Sequence, residues 1–277
     1  MTTTTNTLAQ TLKTLHAPGN PIIFANIWDL ASLNNLTALN TTSHQQPVKA
    51  VATASWAFAA YLGIKDEELT LTQNIDAVAK LSPACRAAGL PLSVDLQDGY
   101  GTRIADAVRQ VVELGASGAN IEDSIPSAGL RGGIEGALYA LEDQVGRLKT
   151  ALEAARDAGC PSFVLNARSD VFLLGLEPDE AMDEAIRRGR AFLDAGATTI
   201  FYWGGSKGLR DEQIRRLVAE LGGRVAVKLA SGPQALTTRE LGEMGVARIS
   251  VGPGIYRIAM AAAQKAAKDI LEGGRLV

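Results

Sequence analysis

Ser93-Val94-Asp95-Leu96-Gln97-Asp98-Gly99-Tyr100-Gly101 is the stretch from which the rest of the chain can be read. An apolar approach beginning at Leu90 runs into three polar side chains and then a glycine turn. Alternate side chains of a strand share a face, so Asp95 and Gln97 are expected to point the same way. Gly99 and Gly101 free the backbone to turn sharply or to approach a ligand. Polar groups at the end of a buried strand are costly unless something binds them, and so the stretch reads as a metal or substrate site. The plainer alternative is a strand end whose Asp caps the next helix.

Outward from this stretch, short apolar segments alternate with helical patterns. Strands are expected at 21–25, 48–53, 90–95, 118–122, 162–167, 198–202, 224–228 and 248–251. Helices are expected at 8–15, 30–39, from about 66 to 89, and at 104–114, 141–158, 178–195, 211–221, 237–244 and 256–271. Gly89, Gly159, Gly196 and Gly245 each stand just before a strand. Strand–helix alternation implies parallel strands, and eight such units close into a (β/α)8 TIM barrel. A doubly wound sheet would want a Gly-x-Gly-x-x-Gly turn after the first strand, and none is present. The whole chain, 1–277, is expected to form one domain, with 1–19 a partly flexible start. Residues 123–136, rich in Gly and Ser and poor in periodicity, suit a mobile lid over the site.

Composition narrows the function classes. The 277 residues are 47% hydrophobic and 21% charged, with a formal net charge of -3. Scattered charge without a basic stripe argues against nucleic acid as a partner. No apolar run reaches the ~18 residues of a membrane helix, and the Thr-rich N-terminus has no secretory pattern. Cys85 and Cys160 show neither metal spacing nor a disulfide framework, so a cytoplasmic setting is expected. His16 and His44 are expected to play no catalytic part.

In such barrels the active site lies at the C-terminal strand ends. Ser55, Asp95, Gln97, Glu122, Asp123, Asn166, Arg168, Asp170 and Lys228 all fall there and converge on one rim. Asp95, Glu122 and Gln97 offer a hard oxygen set suited to Mg²⁺, with Mn²⁺ as an alternative. Arg168 matches a substrate carboxylate with its planar fork; a salt bridge to Glu122 or Asp170 is the competing reading. Lys228 ends an apolar strand, where burial can lower its pKa for proton transfer, or where it can pair with a carboxylate. Tyr100, Asp66, Asp98 and Ser124 are further proton-transfer candidates. Trp56, Trp203 and Tyr202 read either as a pocket floor or as core.

At these residues the sequence resembles the isocitrate lyase / phosphoenolpyruvate mutase superfamily, over about residues 21–271. The likeness rests on Asn26-Ile27-Trp28-Asp29, Leu62-Gly63-Ile64-Lys65-Asp66, the Asp95–Gly101 stretch, Gly118-Ala119-Asn120-Ile121-Glu122-Asp123, Ala167-Arg168, and the segment from Gly245 to Pro253. The resemblance implies a Mg²⁺ site, carboxylate substrates, and homo-oligomers (tetramers or dimers) that swap the last helix. It also implies that Asp95 binds the metal, Glu122 stands in its outer sphere, Asp66 is an acid near the site, and Arg168 binds substrate. Departures are clear. Gln97 stands where the family usually has a second Asp, and Trp203 where it has a His. Ser124-Ile125-Pro126-Ser127-Ala128-Gly129-Leu130-Arg131 lacks the Cys, His or Lys of the known branches. The expectation is a Mg²⁺-dependent carbon–carbon lyase acting on a 2-oxo or 2-hydroxy carboxylate through an enolate. A carbon–phosphorus bond enzyme and a non-catalytic carboxylate binder are the alternatives.

Overall fold

A computed structural model of the chain describes residues 2–43, 46–205 and 208–276. His44 therefore lies outside the described residues. Nine strands run parallel in one sheet: β1 (Ile22–Phe24), β2 (Asn26–Ile27), β3 (Val51–Thr53), β4 (Leu92–Asp95), β5 (Gly118–Glu122), β6 (Val164–Ser169), β7 (Thr199–Tyr202), β8 (Val225–Lys228) and β9 (Arg248–Ser250). The pairing order is β1-β9-β8-β7-β6-β5-β4-β3-β2. β1 pairs with β9 while β2 pairs with β3. The expected first strand, 21–25, is thus shortened to β1, and a second short strand, β2, follows it beyond Ala25; the two bridge the ends of the sheet in a (β/α)8 barrel. Most strand residues are buried, as expected of parallel strands covered on both faces.

The helices form the outer layer: α1 (Thr2–Leu15), α2 (Leu30–Thr42), α3 (Ser55–Leu62), α4 (Leu71–Ala87), α5 (Ile104–Leu114), α6 (Gly133–Ala137), α7 (Leu141–Asp157), α8 (Pro178–Asp194), α9 (Asp211–Glu220), α10 (Thr238–Glu243) and α11 (Gly254–Leu271). α5 shows why the pattern was readable: Ile104, Ala107, Val108, Val111 and Val112 make one buried stripe at helical spacing. α1 begins six residues before the expected Leu8, and its Leu12 packs with Ile22, Phe24, Ala50 and Val164. These include strand starts, so α1 covers the end of the barrel opposite the site. α3 was not foreseen, because an apolar octet without a side-chain cap carries no start signal. α6 falls partly inside the segment expected to lack structure.

Two sequence positions fix close approaches that shape the barrel. A Cβ on Gly118 would come within 2.4 Å of the Val164 carbonyl oxygen, so only glycine lets β5 and β6 meet there. A Cβ on Gly99 would come within 2.7 Å of Ile104 Cγ1, and its φ of +86° is left-handed. Among the described residues, no helix is long and apolar enough to cross a membrane. None of the residues of α11 is buried, and Ile258, Met260, Ile270 and Leu271 are exposed along it.

Candidate active site

The C-terminal strand ends open on a cavity of about 410 Å³. One wall is acidic: Asp95 ends β4, Glu122 ends β5, and Asp66 follows α3. Asp95 is held rigidly. Its Oδ2 accepts from the Ser55 backbone N–H (3.0 Å) and its Oδ1 from Asn120 Nδ2 (3.1 Å). Asn120 in turn accepts from Asn166 Nδ2 (2.8 Å), whose own Oδ1 accepts from Thr199 Oγ1 (2.7 Å). Such a relay locks one carboxylate rotamer while leaving further lone pairs open. Burial, and then the neighbouring Asp95 charge, push the Asp66 carboxyl above the usual range. Glu122 is pushed well above it by burial, against the pull of Arg168.

Arg168 spans the cavity edge, with Nη1 2.7 Å from Glu122 Oε2 and a two-pronged contact to Asp170 at 2.7 and 2.8 Å. Burial works against its charge, but Asp170 and Glu122 outweigh that and raise its pKa. Its guanidinium lies 4.8 Å from the Trp203 ring centroid. The opposite wall carries Lys228, Arg248 and Arg257, with Trp56, Phe201 and Ser250 between. The Lys228 ammonium is held below its ordinary value by burial first and by Arg257 second.

Of the expected site residues, the cavity gathers Ser55, Trp56, Asp66, Asp95, Glu122, Arg168, Trp203 and Lys228. It does not gather Gln97, Tyr100 or Asn166. Gln97 was expected to share a face with Asp95, but the strand stops at Asp95 and Gln97 adopts a φ of 53°. Its amide nitrogen turns to Asp66, donating to the carbonyl oxygen (2.7 Å) and to Oδ1 (3.2 Å). Gln97 therefore positions a carboxylate rather than lining the cavity. Tyr100 also has a positive φ, 61°, and its hydroxyl accepts from Asn74 Nδ2 (2.7 Å). Asn166 is buried behind Asn120.

Other proton-transfer candidates are committed elsewhere. Asp98 accepts from Tyr139 Oη (2.7 Å) and from the Tyr100 and Gly101 N–H groups, fixing the glycine turn. Ser124 donates to Asp170 (2.8 Å). Asp123 was expected on the rim beside Glu122; it instead faces α8, where Arg188 meets it. Tyr202 is fully buried and donates to the Ala185 carbonyl (2.7 Å), so it belongs to the core. His16 is buried too, near the α1 end, with its pKa lowered to about 3 chiefly by burial. Sequence reasoning passed over Arg257, and it quoted Asn120 only as part of a motif, without a role. Arg248 it quoted only within a longer motif.

Among the described residues, no three His, Cys, Asp or Glu side chains cluster tightly enough to hold a metal by themselves. Mg²⁺ asks for less, since it is commonly bound by one or two carboxylates and otherwise by water. Asp95 and Asp66 raise the local negative charge, and their hard oxygens fit such an ion.

Comparison with known proteins comes to the same architecture. The family model for phosphoenolpyruvate phosphomutase matches residues 12–271. An uncharacterized protein of Mycobacterium tuberculosis is 29% identical over 265 residues, covering 95% of this chain and 89% of that protein. An oxaloacetate decarboxylase of Rhodopseudomonas palustris is 34% identical over 154 residues, covering 54% of this chain and 49% of the relative. A crystal structure from Burkholderia cenocepacia, described as a candidate phosphonomutase, superposes with a TM-score of 0.81. It is 31% identical and covers 95% of this chain and 98% of its own.

Proposed function

The chain belongs to the phosphoenolpyruvate phosphomutase family, within the isocitrate lyase / phosphoenolpyruvate mutase superfamily, and from that premise we propose that it is a Mg²⁺-dependent carbon–carbon lyase. Its substrate is a 2-oxo or 2-hydroxy carboxylate, cleaved through an enolate. The observation that carries this reading is the division of one cavity into a fixed acidic wall and a cationic wall. Asp95, with Asp66 beside it, would hold the metal, and Glu122 would stand outside it. Bound there, the ion supplies a Lewis acid to the oxygen on which enolate charge develops. Ser55 and Asn120 hold Asp95 still, so no reorganisation is needed as that charge appears. Trp56, Phe201 and Trp203 add apolar rings to the lining, which would limit water around the reacting atoms. Of the proton-transfer candidates, Lys228 and Asp66 remain at the cavity; the lowered Lys228 pKa suits an acid that returns a proton to the enolate.

Pyruvate, glyoxylate and carbon dioxide release from a panel of 2-oxo and 2-hydroxy acids tests the proposal. We expect Mg²⁺-stimulated turnover that falls by about a thousandfold or more in Asp95→Ala. Tight binding without any turnover would replace the lyase with a carboxylate-binding barrel. Carbon–phosphorus chemistry is the second reading, favoured by the phosphonomutase-like neighbour but disfavoured by a 124–131 segment without Lys, His or Cys. We also assign 123–136 as the cover of the site: its middle, 126–132, is exposed while Asp123 and Ser124 anchor its base. Ligand should slow proteolysis there, and unchanged cleavage would remove the lid from the account.

A further inference from the structure

Arg168, the expected partner of a substrate carboxylate, is already matched by Glu122 and Asp170. Three other cations reach the same cavity: Lys228, Arg248 and Arg257. Among the described residues, none of them has a carboxylate within ion-pair distance. Arg248 is the sharpest case. It starts β9, is only 2% exposed, and projects along the barrel interior. Its Nε lies 3.2 Å from Ser250 Oγ, its two terminal nitrogens each lie 3.5 Å from Ser93 Oγ, and its plane stacks 4.3 Å from the Phe24 ring centroid. Two hydroxyls at these distances leave much of a five-donor fork unused.

A buried guanidinium without a counterion is expensive to keep. Burial pulls its pKa down to about 9, with only the Asp95 charge acting the other way. Stacking on Phe24 explains how the plane is held, not why a fork with free donors faces a cavity. Lys228 and Arg257 pose the same question at the rim, where burial first and the Arg257 charge second make the Lys228 ammonium harder to keep. Both sit over indole rings, Lys228 5.9 Å from Trp203 and Arg257 4.3 Å from Trp56.

We propose that Arg248, backed by Ser93 and Ser250 on the cavity floor, seats a second anionic group of the substrate. The cavity then selects dianionic 2-oxo or 2-hydroxy acids over monoanions of equal length. The distal group is a carboxylate or a phosphonate, both of which present oxygens in the geometry that a guanidinium fork accepts. Lys228 and Arg257 add the positive field that draws such a dianion in. The inference rests on the lyase reading in one respect only, that the near end of the ligand is a 2-oxo or 2-hydroxy acid.

Trp56 and Trp203 line the cavity, so their fluorescence reports binding without turnover. Titrations in Mg²⁺ compare malate with 2-hydroxybutyrate, which differ only in a terminal carboxylate against a methyl group. Wild type should prefer malate by about tenfold or more. That ratio should collapse towards one in Arg248→Met and be partly kept in Arg248→Lys. Should Arg248→Met fail to fold, the Ser93→Ala/Ser250→Ala pair, which leaves every charge in place, should still narrow the ratio. A phosphonopyruvate titration assigns the distal group: tighter binding than malate selects the phosphonate, weaker binding the carboxylate. Equal binding of malate and 2-hydroxybutyrate by wild type overturns the proposal, as does a ratio that survives Arg248→Met. Preference for the dianion with no turnover of any acid would leave this inference standing and sink the lyase. Turnover of mono- and dianions alike would do the reverse.

Discussion

Two arginine networks start from adjacent residues, Glu122 and Asp123 at the end of β5, and do different work. On the cavity side, Arg168 of β6 joins Glu122 of β5 to Asp170, with 16% of its side chain exposed. On the helix side, Arg188 of α8 joins Asp123 (3.3 Å), Glu184 (2.7 Å) and the Tyr139 carbonyl (3.0 Å), with 1% exposed. Asp123 lies just past β5, but its N–H still donates to the Arg168 carbonyl (3.0 Å). The alternation thus runs one residue further, so Glu122 looks inward and Asp123 outward. The outward set ties the start of the 123–136 segment to α8 and to Tyr139, which follows that segment. Burial would raise the Glu184 carboxyl, but hydrogen bonds from Arg187 and Arg188 outweigh it and hold that group low. The inward set does not join distant elements; it presents charge to a cavity. One network organises the scaffold, and the other organises the site.

If that division is right, the two arginines fail differently. Arg188→Leu leaves Asp123 buried without its counterion, which should cost about 3–5 kcal/mol of stability in urea unfolding. The fraction that folds should keep its kcat. Adding Asp123→Asn should cost less than the two single changes combined, because the partners share one interaction. Arg168→Lys keeps a charge beside Glu122 but loses the two-pronged grip on Asp170 and the stack on Trp203. It should lower kcat/KM by roughly 10- to 100-fold with a stability loss of only about 1 kcal/mol. Arg168→Lys unfolding the protein, or Arg188→Leu abolishing turnover at unchanged stability, would erase the distinction.

Strands β5 and β6 also mark how far the sequence could be read. Buried parallel strands are short apolar runs, so 118–122 could be placed to the residue, and the alternation of strand and helix gave the barrel. Asp95, Glu122 and Arg168 could be found because strand ends carry the site in such folds. The face each neighbour takes could not be read so easily: Asp123 counted as a rim residue until α8 supplied Arg188, 65 positions away in the chain. Gln97 misled for a local reason. Alternation holds only while the strand lasts, and a left-handed residue just beyond Asp95 redirects the side chain towards Asp66. Arg257 lies in an Ala-rich helix whose sequence carries no sign of the cavity, and only the path of the chain after β9 brings it to Trp56. The break at Ala25 has no sequence marker, since no glycine, proline or charge interrupts the chain from Ile22 to Ile27.

The finest separation of the two networks is by pH. Asp123 is pushed up to about 6, first by burial and next by the nearby Asp170 charge, with Arg188 pulling the other way. Its folded-state pKa thus lies above the unfolded value of 3.8. The folded form then binds more protons than the unfolded form between those two values. Its stabilising contribution is complete below the lower value and is lost as pH rises through the upper one. The expected slope is on the order of 1 kcal/mol per pH unit between about pH 4 and 6. Glu122, raised by its own burial, acts in the same direction, so wild type should show the sum of both. Asp123→Asn should remove part of that slope while leaving the pH profile of kcat/KM where it was. Glu122→Gln should remove another part of the slope and change the activity profile as well. An unchanged stability slope in Asp123→Asn, measured by urea unfolding across this range, would mean that Arg188 and Ser169 hold the carboxylate ionised throughout. The outward network would then be a permanent ion pair with no share in the protein's response to acid.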